Sequence, residues 1–154
     1  MRMTRIVPRR PIGMLAAASI IAATAVTATA GPASADPRPP RPCYASSCNG
    51  MNPYGNAAVC GSSDWYNNVW VSPPSGIGPG SEQVRLYYSP YCNSNWAVYG
   101  GFNVDEVYVH NTRGNYGWDI VGGPWGYTQM VDGSVAAQGV IHVAGYGWLS
   151  TRWY

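Results

Sequence analysis

Two histidines, His110 and His142, are the only side chains of the chain that titrate near neutral pH when unperturbed, so acid–base chemistry would have to start with them. Lysine is absent, which excludes Schiff-base chemistry, a phosphate-loop lysine and an isopeptide donor. Glu106 and His110 alternate onto one face of a strand, but four strand residues separate them by about 13 Å, too far for a direct dyad. His142, in GVIHVA, is opposite in phase to Ile141 and Val143 and reads as a surface strand residue. The serines stand in neither a Gly-x-Ser-x-Gly elbow nor a Ser-x-x-Lys motif, and no two of the 7 acids single themselves out as a glycosidase pair. No catalytic residue is assigned, and a small hydrolase using His110 or His142 is kept only as a third reading.

The 4 cysteines offer metal, redox or structural chemistry. Three fall within CYASSCNGMNPYGNAAVC (43–60), and the fourth ends YYSPYC. Their spacing lacks the Cys-x-x-Cys of zinc knuckles or thioredoxin-like couples, and in a secreted chain thiolates would not stay reduced. Cys43, Cys48, Cys60 and Cys92 are therefore expected to be disulfides, with no metal and no cofactor. Of three possible pairings, Cys43 with Cys48 and Cys60 with Cys92 is favoured. The first is local, and the second ties the loop to the end of the most regular strand.

Aromatic rings are the remaining surplus. With 7 Trp and 12 Tyr against 1 Phe, nearly every ring carries a polar edge, which suits positions that stay partly wet. A leucine-poor β protein must use many rings as core filling. Tyr87, Trp118, Trp125 and Trp148 are the candidates for an exposed ligand-binding patch. Tyr87 is out of phase with the core positions of its strand, and the three tryptophans lie beside glycines.

The elements that would position these rings are strands. Residues 36–154 hold thirteen valines but only Leu86 and Leu149, a bias toward side chains that fit a pleated sheet and lose rotamer freedom in a helix. EQVRLYYS (82–89) alternates, with Val84, Leu86 and Tyr88 on one side. NVDEVYVHN (103–111) puts Val107 and Val109 opposite Glu106, Tyr108 and His110. Short strands are also expected at 67–72, from Trp96 to Gly100, and in WDIV, GYTQMV, AAQGVIHVA and GWLSTRWY, with a turn from Gly114 to Gly117. PPSGIGPGS (73–81) must be a loop. The expected fold is all-β: a small antiparallel barrel or sandwich with a disulfide-stapled N-terminal loop region.

Compartment follows from the first residues. MRMTRIVPRR carries four arginines and no acid, an apolar run spans residues 12–28, and Ala33-Ser34-Ala35 has the small-residue pattern of a cleavage site. Residues 1–35 are read as a signal peptide cleaved after Ala35, 36–42 as a proline-rich leader, and 43–154 as one secreted β domain. Without the signal peptide, five arginines face 7 acids, so a basic nucleic-acid surface is not expected, nor is a stable membrane span. The lysine-free, alanine-rich style fits a bacterial chain.

The pattern Cys43, Cys48-x-Gly50-x-x-Pro53, Cys60, then VRLYYSPYCNSNWA (84–97), resembles the YjfA-like family of small secreted bacterial proteins, and YTQMV (127–131) is similar to a later stretch of that family. Tyr87 and Val98 stand where the family usually has arginine. The resemblance implies a small disulfide-bonded secreted architecture and, since the family's role is uncharacterised, no reaction. The expected role is a non-enzymatic extracellular or cell-envelope module binding carbohydrate or protein through exposed Tyr and Trp. The alternative is a secreted proteinase inhibitor presenting VSPPSGIGPG (71–80).

Overall fold

Alternation of valine and leucine with polar residues sets two of the longer elements. Strand β2 (Gln83–Ser89) buries Val84 and Leu86, and β4 (Val104–Asn111) buries Val107 and Val109. Each therefore offers one apolar face to a core, as period-2 geometry requires. The computed structural model describes residues 37–75, 77–118 and 123–154. The expected signal peptide and its cleavage site lie outside the described residues, as does the predicted strand WDIV beyond Trp118.

Two antiparallel sheets pack face to face. In the first, β1 (Trp70–Val71) pairs with β2, β2 with β3 (Ser94–Gly100), and β3 with both β6 (Trp125–Tyr127) and β7 (Val131–Asp132). In the second the order is β5 (Tyr116–Trp118), β4, β8 (Ala137–Val143), β9 (Gly147–Ser150). Val84, Leu86, Ala97 and Tyr99 from the first sheet meet Val107, Val109, Ile141 and Val143 from the second. Each such aliphatic side chain contributes about 1.5–3 kcal/mol on burial. The all-β expectation holds, and the arrangement is a sandwich in which the Gln129 N–H donates to the Trp118 carbonyl at 3.0 Å and the Asn111 amide to the Asp132 carbonyl at 3.0 Å, joining the two sheets.

A second core lies on the outside of the first sheet. There the disulfides Cys43–Cys48 and Cys60–Cys92 pack with Ala57, Trp96 and Met130. The N-terminal segment, with a short turn of helix at Ala45–Cys48 and another at Ala58–Gly61, thus covers an outer sheet face. Its anchor is Asn67, which sequence alternation would place at the start of a strand. Its fully buried amide donates to the carbonyls of Val59, Cys60 and Ser62, while its oxygen accepts from the Ser89 hydroxyl at 2.8 Å. The strand proper shrinks to Trp70–Val71. The leader is mostly exposed but is tied down: Arg38 and Arg41 lie over the Tyr91 ring, and the Tyr91 hydroxyl donates to the Pro39 carbonyl.

Two local expectations are revised by side-chain hydrogen bonds. The turn before β5 closes earlier than Gly114–Gly117, because the Asn111 side-chain oxygen accepts from the N–H groups of Arg113 (3.1 Å) and Asn115 (3.0 Å), freeing Tyr116 to begin the strand. The predicted strand over 126–131 is split. Thr128 Oγ1 takes the ladder bond from Ala97 N–H at 3.0 Å, and Met130 pairs with Met51 of the N-terminal segment.

Loop 73–81 is held from beneath by Glu82, which is fully buried. Its carboxylate accepts from Gly80 N–H and the Asn103 amide, both at 2.8 Å. Gly101, just after β3, closes over the same side chain: a Cβ there, where φ is +126°, would fall 2.6 Å from Glu82 Cγ. The hydrogen bond from its own N–H, opposed by burial and reinforced by Gly80 and Asn103, holds the Glu82 carboxyl below the usual range. Burial alone would raise the carboxyl of Asp132, but the Ser134 hydroxyl and N–H and the Arg113 guanidinium outweigh it and leave it lowered.

Both carboxyls bind protons more weakly folded than unfolded, where they titrate near pH 4. Their contribution is complete above that range and is lost as pH falls through the folded values. The urea midpoint is therefore expected to hold from about pH 7 to 5 and to fall below about 4. Glu82→Gln should be less stable than the parent at pH 7, with the gap closing in acid. An equal gap at both ends of a pH series of denaturation curves would exclude Glu82 from the effect.

Candidate functional site

The outward positions of the second sheet carry tyrosine or tryptophan on three of its four strands. Cross-strand register places Trp118 beside Tyr108 and Tyr116 beside His110. Glu106 and Trp148 flank His142 from the two neighbouring strands. Directly opposed side chains on one face stand within contact distance, and the rings form one connected set. Tyr108 lies centrally, 5.4 Å from Trp118 and 5.8 Å from Trp148 between centroids. His110, Tyr116 and Trp118 run nearly parallel, with centroid spacings of 5.5 and 6.1 Å. Trp153 closes one corner against His110, and His142 packs on Trp148 at the other. Four strands and five residues along β4 span a field of about 14 by 13 Å.

This face is accessible. Tyr116, Trp118, Trp148 and Trp153 are 51%, 51%, 55% and 46% exposed. Aromatic side chains left wet in a contiguous group mark an interaction surface more strongly than isolated exposed rings do. Polar groups are interspersed: the Gln138 amide oxygen lies 3.1 Å from His110 Nε2, and burial together with Tyr116 and Glu106 raises the Tyr108 phenol, which stays a neutral donor. The outward positions of these four strands bear no arginine. Their formal negative charge comes from Asp105 and Glu106.

β5 reaches this face because Gly117 points inward. A Cβ there would fall 2.4 Å from the Gln129 carbonyl oxygen, so only glycine lets the two sheet edges approach while Tyr116 and Trp118 face out.

Asp105 arrives by a different device. Strict alternation from Val107 and Val109 would send it into the core. The register shifts between Val104 and Glu106, where two residues of β4 oppose one step of β8, so Asp105 turns outward. Its Oδ1 lies 2.6 Å from His142 Nδ1. This is the base–orienter half of a catalytic arrangement, but among the described residues no hydroxyl or thiol is hydrogen-bonded to the other imidazole nitrogen.

The four rings singled out by sequence do not form one site. Trp118 and Trp148 share the face just described. Trp125 is exposed on β6 of the other sheet. Tyr87 is out of phase with the inter-sheet core, yet it is partly buried, because it packs at 5.6 Å on Trp96 within the second core. Tyr108, Tyr116 and Trp153 belong to the face and were not singled out by sequence. Tyr108 was visible in phase with His110, whereas Tyr116 was hidden by the misplaced turn.

The sulfurs of Cys43, Cys60 and Cys92 lie within 4.8 Å of one another, close enough in principle to ligate one ion, but all are engaged in the two adjacent disulfides. The loop of the inhibitor reading exposes Ile77 above the buried Glu82. Among the described residues no helix is long and apolar enough to cross a membrane. Set against family models, curated proteins and solved structures, the chain matches none.

Proposed function

We propose that the mature chain is a secreted, non-enzymatic β module that binds a polysaccharide of the cell envelope or extracellular space along the ring-covered face of its second sheet. The observation that carries this reading is the connected set of Tyr108, Tyr116, Trp118, Trp148 and Trp153 with no arginine among the outward positions of its four strands. Sugar rings present apolar faces bordered by hydroxyls. They match side chains that combine a ring face with N–H, O–H, amide and carboxylate groups. An anionic nucleic acid would instead require cations. Secretion is supported by the arginine-rich first ten residues followed by an apolar run, and by two disulfides, which persist in an oxidising compartment.

Sedimentation of the purified mature chain with insoluble peptidoglycan, chitin and cellulose tests the proposal. Retention by at least one of them, displaced by soluble fragments of the same polymer, is expected. Failure to sediment with all three would leave the polysaccharide reading without support.

A further inference from the structure

At one open end of the sandwich, away from the ring-covered face, lies a pocket of ≈ 460 Å³ lined by Trp70, Tyr88, Asn95, Ser134 and Tyr154 and by residues 133–136. Its walls follow from the pairing. Tyr88 and Asn95 are directly opposed on β2 and β3, and Trp70 is opposed to Tyr88 from β1. On the far side Tyr154 exchanges two backbone hydrogen bonds with Ala137, whose side chain points into the core. Opposed residues share a face, so Tyr154 turns inward too and its ring meets Trp70 at 4.9 Å between centroids.

Asn95 is the informative residue. It is only 4% exposed, it lines the pocket, and among the described residues no group hydrogen-bonds its side-chain amide. The amide is not sealed off: its polar atoms border the open pocket, where water pairs with them and the polar group of a ligand can take that water's place. Here the amide stands on a rigid central strand and reaches the pocket, where a ligand can complete it. Two further polar groups of the wall are already engaged, since the Tyr88 hydroxyl donates to Asn93 and Ser134 bonds to Asp132, whereas the rings of Trp70 and Tyr154 stand at the rim, 42% and 40% exposed, with their N–H and O–H open to solvent. No lining side chain carries a formal charge, and the walls are mainly ring and aliphatic surface.

These features define a ligand. A carboxylate or ammonium would lose its hydration without a counter-charge, and a free sugar would bring more hydroxyls than the wall can satisfy. We propose that this pocket binds a small neutral aromatic compound bearing one amide or carbonyl group, its ring held among Trp70, Tyr88 and Tyr154 and its polar group paired with the Asn95 amide. The volume lies within the range usual for small-molecule sites, about 300–1,000 Å³.

The experiment uses acetanilide as probe and toluene as its counterpart without a polar group, titrated into the isotopically labelled mature chain. Saturable shifts of the Asn95 side-chain amide and the Trp70 indole resonances are expected with acetanilide. Asn95→Leu, which keeps the branched four-heavy-atom outline and removes the amide, should weaken acetanilide by about tenfold relative to toluene. If that variant does not fold, Trp70→Leu on the exposed edge strand should weaken both probes. The proposal is overturned if the Asn95 resonances do not shift saturably, if toluene binds the parent as tightly as acetanilide, or if the folded variant binds acetanilide as the parent does. Because the pocket is separate from the outer face of the second sheet, neither result depends on whether the chain sediments with polysaccharide.

Discussion

Replacing Cys60 and Cys92 together by alanine is expected to destabilise the protein by about 3–4 kcal/mol, whereas replacing Cys43 and Cys48 should cost about 2 kcal/mol. The difference follows from the closed loops, since the bridges span 32 and 5 residues and the longer restricts the unfolded chain more. Against a typical total stability of about 5–15 kcal/mol, the longer bridge is a large fraction. Its loss also has a local signature. Cys60 and Cys92 fasten the N-terminal segment over Trp96, which is fully buried and donates its indole N–H to the Tyr54 hydroxyl at 3.2 Å. Without the bridge the segment should open before the sandwich does, giving a red-shifted tryptophan component at urea concentrations where the strand signal is intact. Urea curves followed by fluorescence and far-UV circular dichroism would measure both effects. A larger loss from the Cys43/Cys48 pair than from the Cys60/Cys92 pair would show that loop closure does not govern these disulfides.

Trp118→Ala and Trp148→Ala are each expected to weaken polysaccharide binding by about tenfold, and the double variant by up to about a hundredfold. Both side chains are more than half exposed, so the folded state should lose no more than about 0.5 kcal/mol from either change. The two rings contact Tyr108 from opposite sides, so their effects are expected to couple and the double variant to fall short of strict additivity. Trp125→Ala is the internal control. Its ring is the most exposed of the three, yet it stands on β6 of the other sheet, and it should leave the isotherm unchanged. Depletion isotherms on the retained polymer, with denaturation curves for each variant, test this. An equal loss from Trp125→Ala and Trp118→Ala would mean that exposure, and not membership of the ring set, decides binding.

Which rings belong together could not be read from spacing. Trp118, Trp125 and Trp148 look equivalent in sequence, each beside a glycine, and pairing alone assigns two to one sheet and one to the other. Tyr87 shows the complementary limit. Its phase excludes it from the inter-sheet core, but alternation cannot show that a distant segment folds back over the outer face and builds a second core there. Asp105 escaped for a third reason: a bulge breaks the period, so the residue that alternation sends inward instead meets His142.

Local chemistry carried the rest. Valine, tyrosine and tryptophan in place of leucine determined an all-β chain. Alternation in 82–89 and 103–111 determined which side chains of β2 and β4 enter the core, because successive residues of a strand must face opposite ways. Four cysteines without metal-type spacing, one local pair among them, pointed to the two bridges that the structure contains. Only the tertiary structure decided what those elements hold: the ring-covered face, the buried Glu82 beneath its loop, and the Asn95 amide in the end pocket. Each depends on register, on a bulge or on a segment crossing over a sheet, and these are settled by contacts between residues tens of positions apart, which leave no periodic trace in the chain.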